Sequence, residues 1–281
     1  MLTVTELKAL LRNRKLRLTK RLGQHHLIDP RVIERFVGAC RLSGSDTVVE
    51  IGAGLGALTE PLAQRAGRVI AVEVDERIGA ALAERLAPMM NVTVVREDIL
   101  VFSWDRVSGA VVVGAIPYHI TSPILVTLCE ARAAISRAIL IVQREVAQRL
   151  SAKPGTKAYG RLSVLGQYGW EITPLFSIAR SAFFPQPAVD SFCLELGHRA
   201  RPPVDVEDEA AFFAVVKAAF AHRRKTLVNC LRDELHPQTP RSELETLMRT
   251  LGLSGDVRGE MLSLAQFARL AKALGSRNPL R

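Results

Sequence analysis

The sequence predicts an α/β domain built on a mostly parallel sheet, followed by a small all-helical domain. Three observations predict it. Short apolar runs alternate with helix-periodic segments from about residue 30 to 142. A glycine cluster, Gly52-Ala53-Gly54-Leu55-Gly56, separates one apolar run from the next periodic segment. Beyond Arg199-Ala200-Arg201-Pro202-Pro203, which reads as a linker, every periodic segment is helical.

The elements follow in order. Asp29-Pro30 opens a helix whose apolar positions Val32, Ile33, Phe36 and Val37 share one face, with Asp as cap and Pro at the first helical position. Thr47 to Ile51 is a buried strand, and a helix follows the glycines to about Ala66. Arg68 to Val74 is the next strand, then a helix over about 76–87, then a strand at Val92 to Val95. A fourth strand, Ala110 to Val113, ends at Gly114. A helix near 122–133 and a strand at Ala138 to Val142 come next, and Phe192 to Leu196 is strand-like. Helices over about 208–220, 223–234, 241–250 and 264–273 complete the chain. This gives a basic arm at 1–21, an α/β domain at 22–198 and a helical domain at 204–281.

With 281 residues and 48% hydrophobic content, the chain can bury two cores. No apolar run approaches the ~18 residues of a membrane span. Met1 to Leu22 is basic and lacks the apolar stretch and cleavage site of a secretory signal. Cys40, Cys129, Cys193 and Cys230 are far apart and form no CxxC, which argues against a zinc site or disulfide framework and for a reduced, cytoplasmic setting. The net charge of +10 favours a polyanionic partner. Lys8, Arg12, Arg14, Lys15, Arg17, Lys20 and Arg21 face Glu6 alone in the arm, and His222-Arg223-Arg224-Lys225 forms a second cluster. Two separated basic clusters suit a folded RNA, with phosphates in several directions.

Glu50-Ile51-Gly52-Ala53-Gly54-Leu55-Gly56 lies directly after a strand, where glycines let the backbone turn sharply and approach a ligand. A GxGxG is weak evidence on its own, since it also serves as a tight turn. The dinucleotide pattern needs glycine at position 57, which is Ala57. An acid just before the first glycine suits a cofactor with a cationic amino-acid end better than one with a pyrophosphate. Glu73 ends the second strand, where a carboxylate can accept ribose hydroxyls, and Glu97-Asp98 ends the third, where one can accept from an adenine amino group. Each acid alone reads as a solvated strand end. Together with the glycines they mark the crevice at the carboxyl ends of parallel strands.

At Gly114-Ala115-Ile116-Pro117-Tyr118-His119-Ile120-Thr121-Ser122-Pro123 the chain resembles the rRNA adenine N6,N6-dimethyltransferases of the KsgA type. Supporting stretches are Leu22 to Leu27, Gln143 to Leu150, Ala158 to Val164, Ala182 to Ser191 and Ala218 to Leu227, so the likeness runs from about residue 15 to 275. The resemblance implies a Rossmann-like S-adenosylmethionine methyltransferase domain with a helical C-terminal domain. It implies dimethylation of two adjacent adenines in a hairpin loop near the 3′ end of small-subunit rRNA, on the immature 30S subunit. It further implies that Gln24, His25 and Leu27 lie along the cofactor, that Gly52 and its loop, with Gly54 and Glu50, cradle the methionine part, that Glu73 holds the ribose, and that Asp98 meets the adenine amino group.

The exocyclic amine of adenine is a poor nucleophile, so the base must be taken out of its stack and N6 held in line with the methyl. The resemblance assigns Tyr118 as the stacking face and Phe183 as the second wall, with Phe184 as the competing choice. Both aromatics also read as core residues. The family motif has asparagine where this chain has Ala115, and that side chain and the next carbonyl, here Ile116 ahead of Pro117, accept from N6. His26 is a second departure, where the family has Phe. Arg14, Lys15, Lys20, Arg223, Arg224 and Lys225 are the candidate RNA contacts, the last three on a helix. No metal is called for, and a monomer is expected. The rival readings are an assembly factor that binds RNA and cofactor without effective transfer, a large-subunit rRNA methylase, and a nicotinamide oxidoreductase disfavoured by Ala57.

Overall fold

A computed structural model describes residues 4–14, 16, 25–117, 120–199, 201–222 and 224–275. The chain divides into two compact units, one of residues 1–147 with 170–198 and one of 148–169 with 199–281. The second unit therefore takes in a segment that the sequence placed within a continuous α/β domain.

The first unit begins with α1 (Val4–Asn13) and the two-residue strand β1 (His26–Leu27). Helix α2 (Pro30–Ala39) starts where the cap signal placed it, the Asp29 carboxylate accepting the Arg31 N–H at 2.9 Å. Then come β2 (Thr47–Ile51), α3 (Thr59–Ala63), β3 (Arg68–Val72), α4 (Glu76–Leu86), β4 (Val92–Val95), β5 (Ala110–Ala115), α5 (Thr121–Glu130) and β6 (Ile135–Gln143). The unit boundary falls inside α6 (Arg144–Leu150), and α7 (Arg161–Gly169) lies in the second unit. The first unit resumes with β7 (Trp170–Ile178), β8 (Phe183–Phe184) and β9 (Ser191–His198).

The main sheet has the order β4-β3-β2-β5-β6-β9-β7. Its first five strands are parallel, and β9 and β7 join antiparallel. The central strands are apolar runs because both faces are covered: Ile33 and Phe36 of α2 pack with Val48, Val111 and Ile139, while Leu82 and Leu86 of α4 pack on Ala71. Pro174, which cannot donate to a ladder, sits in the edge strand β7 beside a register shift. The chain runs outward from β2 in one direction and from β5 in the other, so the topological switch lies between those two strands, where open α/β sheets bind ligands.

The second unit contains α8 (Glu209–Ala219), α9 (Leu227–Glu234), α10 (Arg241–Thr250) and α11 (Leu264–Gly275) around a core of Phe212, Leu231, Met248 and Phe267. The Tyr159 hydroxyl donates to the Leu262 carbonyl at 2.8 Å, which ties the 148–169 segment into this unit. Residues 220–222 and 224–226 are non-helical, so α9 begins at Leu227 and not near the expected 223. Among the described residues no helix is long and apolar enough to cross a membrane.

The switch point depends on a backbone approach that only glycine permits. A Cβ on Gly114 of β5 would lie 2.6 Å from the Ile51 carbonyl oxygen of β2. Gly114→Ala is expected to cost about 1–3 kcal/mol through overpacking, lowering the melting temperature by about 2–4 °C per kcal/mol. Gly38→Ala in α2, where nothing lies within 4 Å of the added carbon, is expected to leave it unchanged or raise it. Scanning calorimetry of both variants checks the pair.

Candidate functional site

Three loops meet at the carboxyl ends of β2, β3 and β5. After β2 the backbone takes positive φ at Gly52, Gly54 and Gly56, at 67°, 56° and 82°. The Gly52 and Ala53 N–H groups donate to the Val72 carbonyl at 2.9 and 3.1 Å, and the Gly56 N–H to the Ala53 carbonyl at 2.9 Å. The Gly54 N–H donates to Glu73 Oε2 at 2.8 Å, and Glu73 Oε1 accepts the Asp75 N–H at 2.9 Å. Asp75 in turn caps α4 by accepting from the Arg77 and Ile78 N–H groups. Arg85 of α4 closes the far side, donating to the Gly56 carbonyl at 3.0 Å and to Glu60 at 3.1 Å.

These bonds decide what the turn can hold. A pyrophosphate is bound by free backbone N–H groups at a helix start. Here the N–H groups of Gly52, Ala53, Gly54 and Gly56 are already spent, and α3 is a single short turn with no side-chain cap. The carbonyls of Gly52 and Gly54 accept no hydrogen bond among the described residues. A turn with spent donors and open acceptors favours a cationic or hydroxyl-bearing ligand group over a phosphate.

Glu50 lies mid-strand, paired in register with Ala71 and Val113 and only 2% exposed. Its Oε2 has no hydrogen-bond partner. Burial, with the nearby Glu73 charge adding, pushes its carboxyl up to about 8. Glu73 is also buried, which raises its pKa despite the two backbone donors that oppose the shift. Asp98 is half-buried beyond the end of β4, and its Oδ1 accepts the Leu100 N–H at 3.0 Å. Glu97 pairs instead with Arg106 at 3.2 Å.

The third loop carries the reactive motif. Ala115 ends β5, in register with Ile141, and the buried Ile116 donates its N–H to the Ile141 carbonyl at 3.0 Å. The Pro117 carbonyl accepts from the Ile120 N–H and the Thr121 hydroxyl, both at 3.2 Å, whereas the Ile116 carbonyl accepts none among the described residues. A Cβ on Gly52 would lie 3.9 Å from Pro117 Cδ, so the glycine turn and this motif lie side by side across the switch point. Tyr118 lies outside the described residues.

A fourth segment covers the turn, and its arrangement was not legible in the sequence. Strand β1 pairs antiparallel with β8, His26 opposite Phe184 and Leu27 opposite Phe183. His25 Nδ1 lies 2.6 Å from the Pro185 carbonyl. Leu27 and Phe183 both enter the core, at 3% and 4% exposure, so the Phe183 ring is not an open wall. Phe184 is half-buried, packs beside Leu55, Ile78 and Leu7 of α1, and has Lys8 Nζ 5.1 Å from its ring centroid. Gln24 lies outside the described residues. Strand pairs of two residues leave no alternation to detect, and the doublet His25-His26 was their one visible sign.

The basic clusters prove more constrained than their charge suggested. The arm is anchored by buried Leu7 and Leu16, and Arg14 makes a bidentate pair with Glu84, both contacts at 2.6 Å. Lys15, Lys20 and Arg223 lie outside the described residues. In the turn before α9, Lys225 pairs with Asp233 at 3.0 Å and His222 with Glu234 at 3.1 Å. Arg224 is exposed and makes no ion pair among the described residues; it lines a shallow depression of about 590 Å³ with Ala221, His222 and Lys225. No group of three or more metal-ligating side chains occurs among the described residues. All four cysteines are buried and none forms a disulfide among the described residues.

The model of the ribosomal RNA adenine dimethylase family matches residues 15–275. The ribosomal RNA small subunit methyltransferase A of Bacillus mycoides is 43% identical over 264 residues, covering 91% of this chain and 90% of the relative. That of Geobacillus thermodenitrificans is 42% identical over the same shares. A dimethyladenosine transferase from Plasmodium falciparum shares the fold, with a TM-score of 0.75 at 24% identity, covering 89% of this chain and 98% of that one. The 23S rRNA methyltransferase ErmE has a TM-score of 0.63 at 30% identity, covering 88% and 98%.

The raised Glu50 pKa has a measurable sign. The unfolded chain gives up this proton near the ordinary 4.5, while the folded chain keeps it to about 8. The associated stability is complete below about pH 4.5 and is lost as pH rises toward 8. Glu50→Gln, which cannot ionise, is therefore expected to gain melting temperature relative to the parent, with a gain that widens between pH 5 and 8. A gain independent of pH in thermal melts contradicts this assignment.

Proposed function

Because the chain belongs to the ribosomal RNA adenine dimethylase family, we propose that it methylates N6 of two adjacent adenines in the 3′-terminal hairpin loop of small-subunit rRNA, with S-adenosylmethionine as methyl donor. The observation that carries this reading is the close approach of the glycine turn at Gly52 to the motif at Pro117, which sets a cofactor cradle beside a base-presenting strand end. The relatives named for the small ribosomal subunit, at 42–43% identity, support that substrate over the large-subunit RNA of ErmE at 30%.

The residues fit the cofactor. Open carbonyls at Gly52 and Gly54 suit a cationic amino-acid end, and the buried Glu50 carboxyl lies two residues before the turn. Glu73 spends one hydrogen bond per carboxylate oxygen on the backbone, which leaves acceptor capacity on each for ribose hydroxyls. Asp98 retains Oδ2 for an adenine amino group. When bound, the sulfonium supplies an activated methyl, so the protein's task is to bind, orient and exclude water.

In this reading Tyr118 stacks on the flipped adenine, and the Ile116 carbonyl accepts one N6 hydrogen, drawing the lone pair out of the ring. Phe183 is occupied by the core, and the half-buried Phe184 is the competing aromatic for the second wall. Ala115 offers no side-chain acceptor. Phosphate contacts from Arg224 and its neighbours, with those of the arm, position the RNA, while hairpin shape and the extruded base specify it. The setting is the cytoplasm, on the immature 30S subunit.

Ala115 favours a second reading, in which the chain binds RNA and cofactor during subunit assembly with little transfer. Ala115→Asn separates the two. If one preorganised acceptor is missing, the substitution raises transfer by about 10²–10³, the loss typical of deleting such a group. Mass spectrometry of 3′-end fragments from under-methylated small subunits reads the outcome. An unmodified chain that is already fully active, with no gain from Ala115→Asn, removes any role for this position.

A further inference from the structure

The histidine that covers the glycine turn has no partner for its second ring nitrogen. His26 is 9% exposed, and its Nε2 makes no hydrogen bond. Burial, with His25 beside it, lowers its pKa to about 4, so the ring is neutral at physiological pH. A buried, unpaired imidazole nitrogen carries a desolvation cost, and such groups call for an explanation.

The backbone aims this ring. In β1 successive side chains point to opposite faces. Leu27 enters the core with Phe183, so His26 faces the glycine turn. The β1–β8 pairing and the contact from His25 Nδ1 to the Pro185 carbonyl fix that direction. A Cβ on Gly54 would lie 2.7 Å from His26 Cε1 and 2.9 Å from Nδ1, so the ring rests on the bare Cα of Gly54. The same Gly54 is held from behind by Glu73. His26 is therefore the polar side chain packed directly against the middle of the turn.

We propose that His26 is a cofactor-binding residue whose Nε2 forms a hydrogen bond with a polar group of S-adenosylmethionine seated on the Gly52–Gly56 turn. This rests on the cofactor reading above. It assigns a role to a side chain outside the resemblance-derived set of Gln24, His25 and Leu27. A neutral imidazole can supply either a donor or an acceptor at Nε2, since Nδ1 takes the complementary role.

The test compares the parent chain with His26→Phe and His26→Gln, using calorimetric titration with S-adenosylmethionine and thermal melts without it. His26→Phe keeps a planar ring over Gly54 and removes the unpaired nitrogen. The expected result is about tenfold weaker cofactor binding, as for loss of one hydrogen bond, with a cofactor-free melting temperature unchanged or raised. His26→Gln, which restores a polar tip, is expected to recover part of the affinity. Equal affinity in the parent and His26→Phe overturns the proposal, as does a weaker affinity accompanied by a lower cofactor-free melting temperature, which marks a packing role. A parent chain that takes up no S-adenosylmethionine overturns the cofactor reading itself.

Discussion

The site depends on one buried carboxylate. Glu73, at the end of β3, accepts the Gly54 N–H on one oxygen and the Asp75 N–H on the other. The first bond fixes the turn after β2; the second sets the start of α4, whose Arg85 braces the same turn at Gly56. A buried carboxylate is costly unless its oxygens are satisfied, and hydrogen bonds to the charged group are roughly twice as strong as neutral ones. Position, charge and turn geometry are thus fixed together. Because the N–H groups of Gly52, Ala53, Gly54 and Gly56 are consumed in this arrangement, the turn offers mainly carbonyls and bare Cα atoms, and that composition separates this crevice from a pyrophosphate site.

The same frame explains a division within the site. In the proposed reading, cofactor binding draws on many groups: Glu50, the glycine carbonyls, Glu73, Asp98 and the β1–β8 cover. In the same reading, base presentation draws on few groups, chiefly the Ile116 carbonyl and Tyr118, next to an alanine that contributes no side-chain acceptor. The latter has little redundancy, so its rate is sensitive to a single side chain at the end of β5.

Much of the fold was legible because it rests on short-range signals. Asp29-Pro30 marked α2, the strands at Thr47–Ile51 and Val92–Val95 were bounded by turn residues, and Glu73 fell at its strand end by spacing from Gly52. What escaped rests on contacts between distant segments. The pairing of His26–Leu27 with Phe183–Phe184 is too short for any periodicity, so which phenylalanine was core and which was open could not be read. The 148–169 segment joins the second unit through contacts such as Tyr159 to Leu262, about a hundred positions away. Residues 224–226 were read as helix because the charged cluster obscures the break before Leu227. The arm was read as a charged tail, and the buried Leu7 and Leu16 give it an apolar side.

The dependence of the cofactor crevice on Glu73 is tested most directly by titrating the parent chain and Glu73→Gln with S-adenosylmethionine. Glutamine places an amide nitrogen opposite one of the two backbone donors, so it cannot satisfy both Gly54 and Asp75. The parent is predicted to bind, and Glu73→Gln to bind at least about tenfold more weakly, as for loss of a hydrogen bond to a charged group, while still unfolding cooperatively. Equal affinity in the two proteins contradicts the dependence of the crevice on this carboxylate.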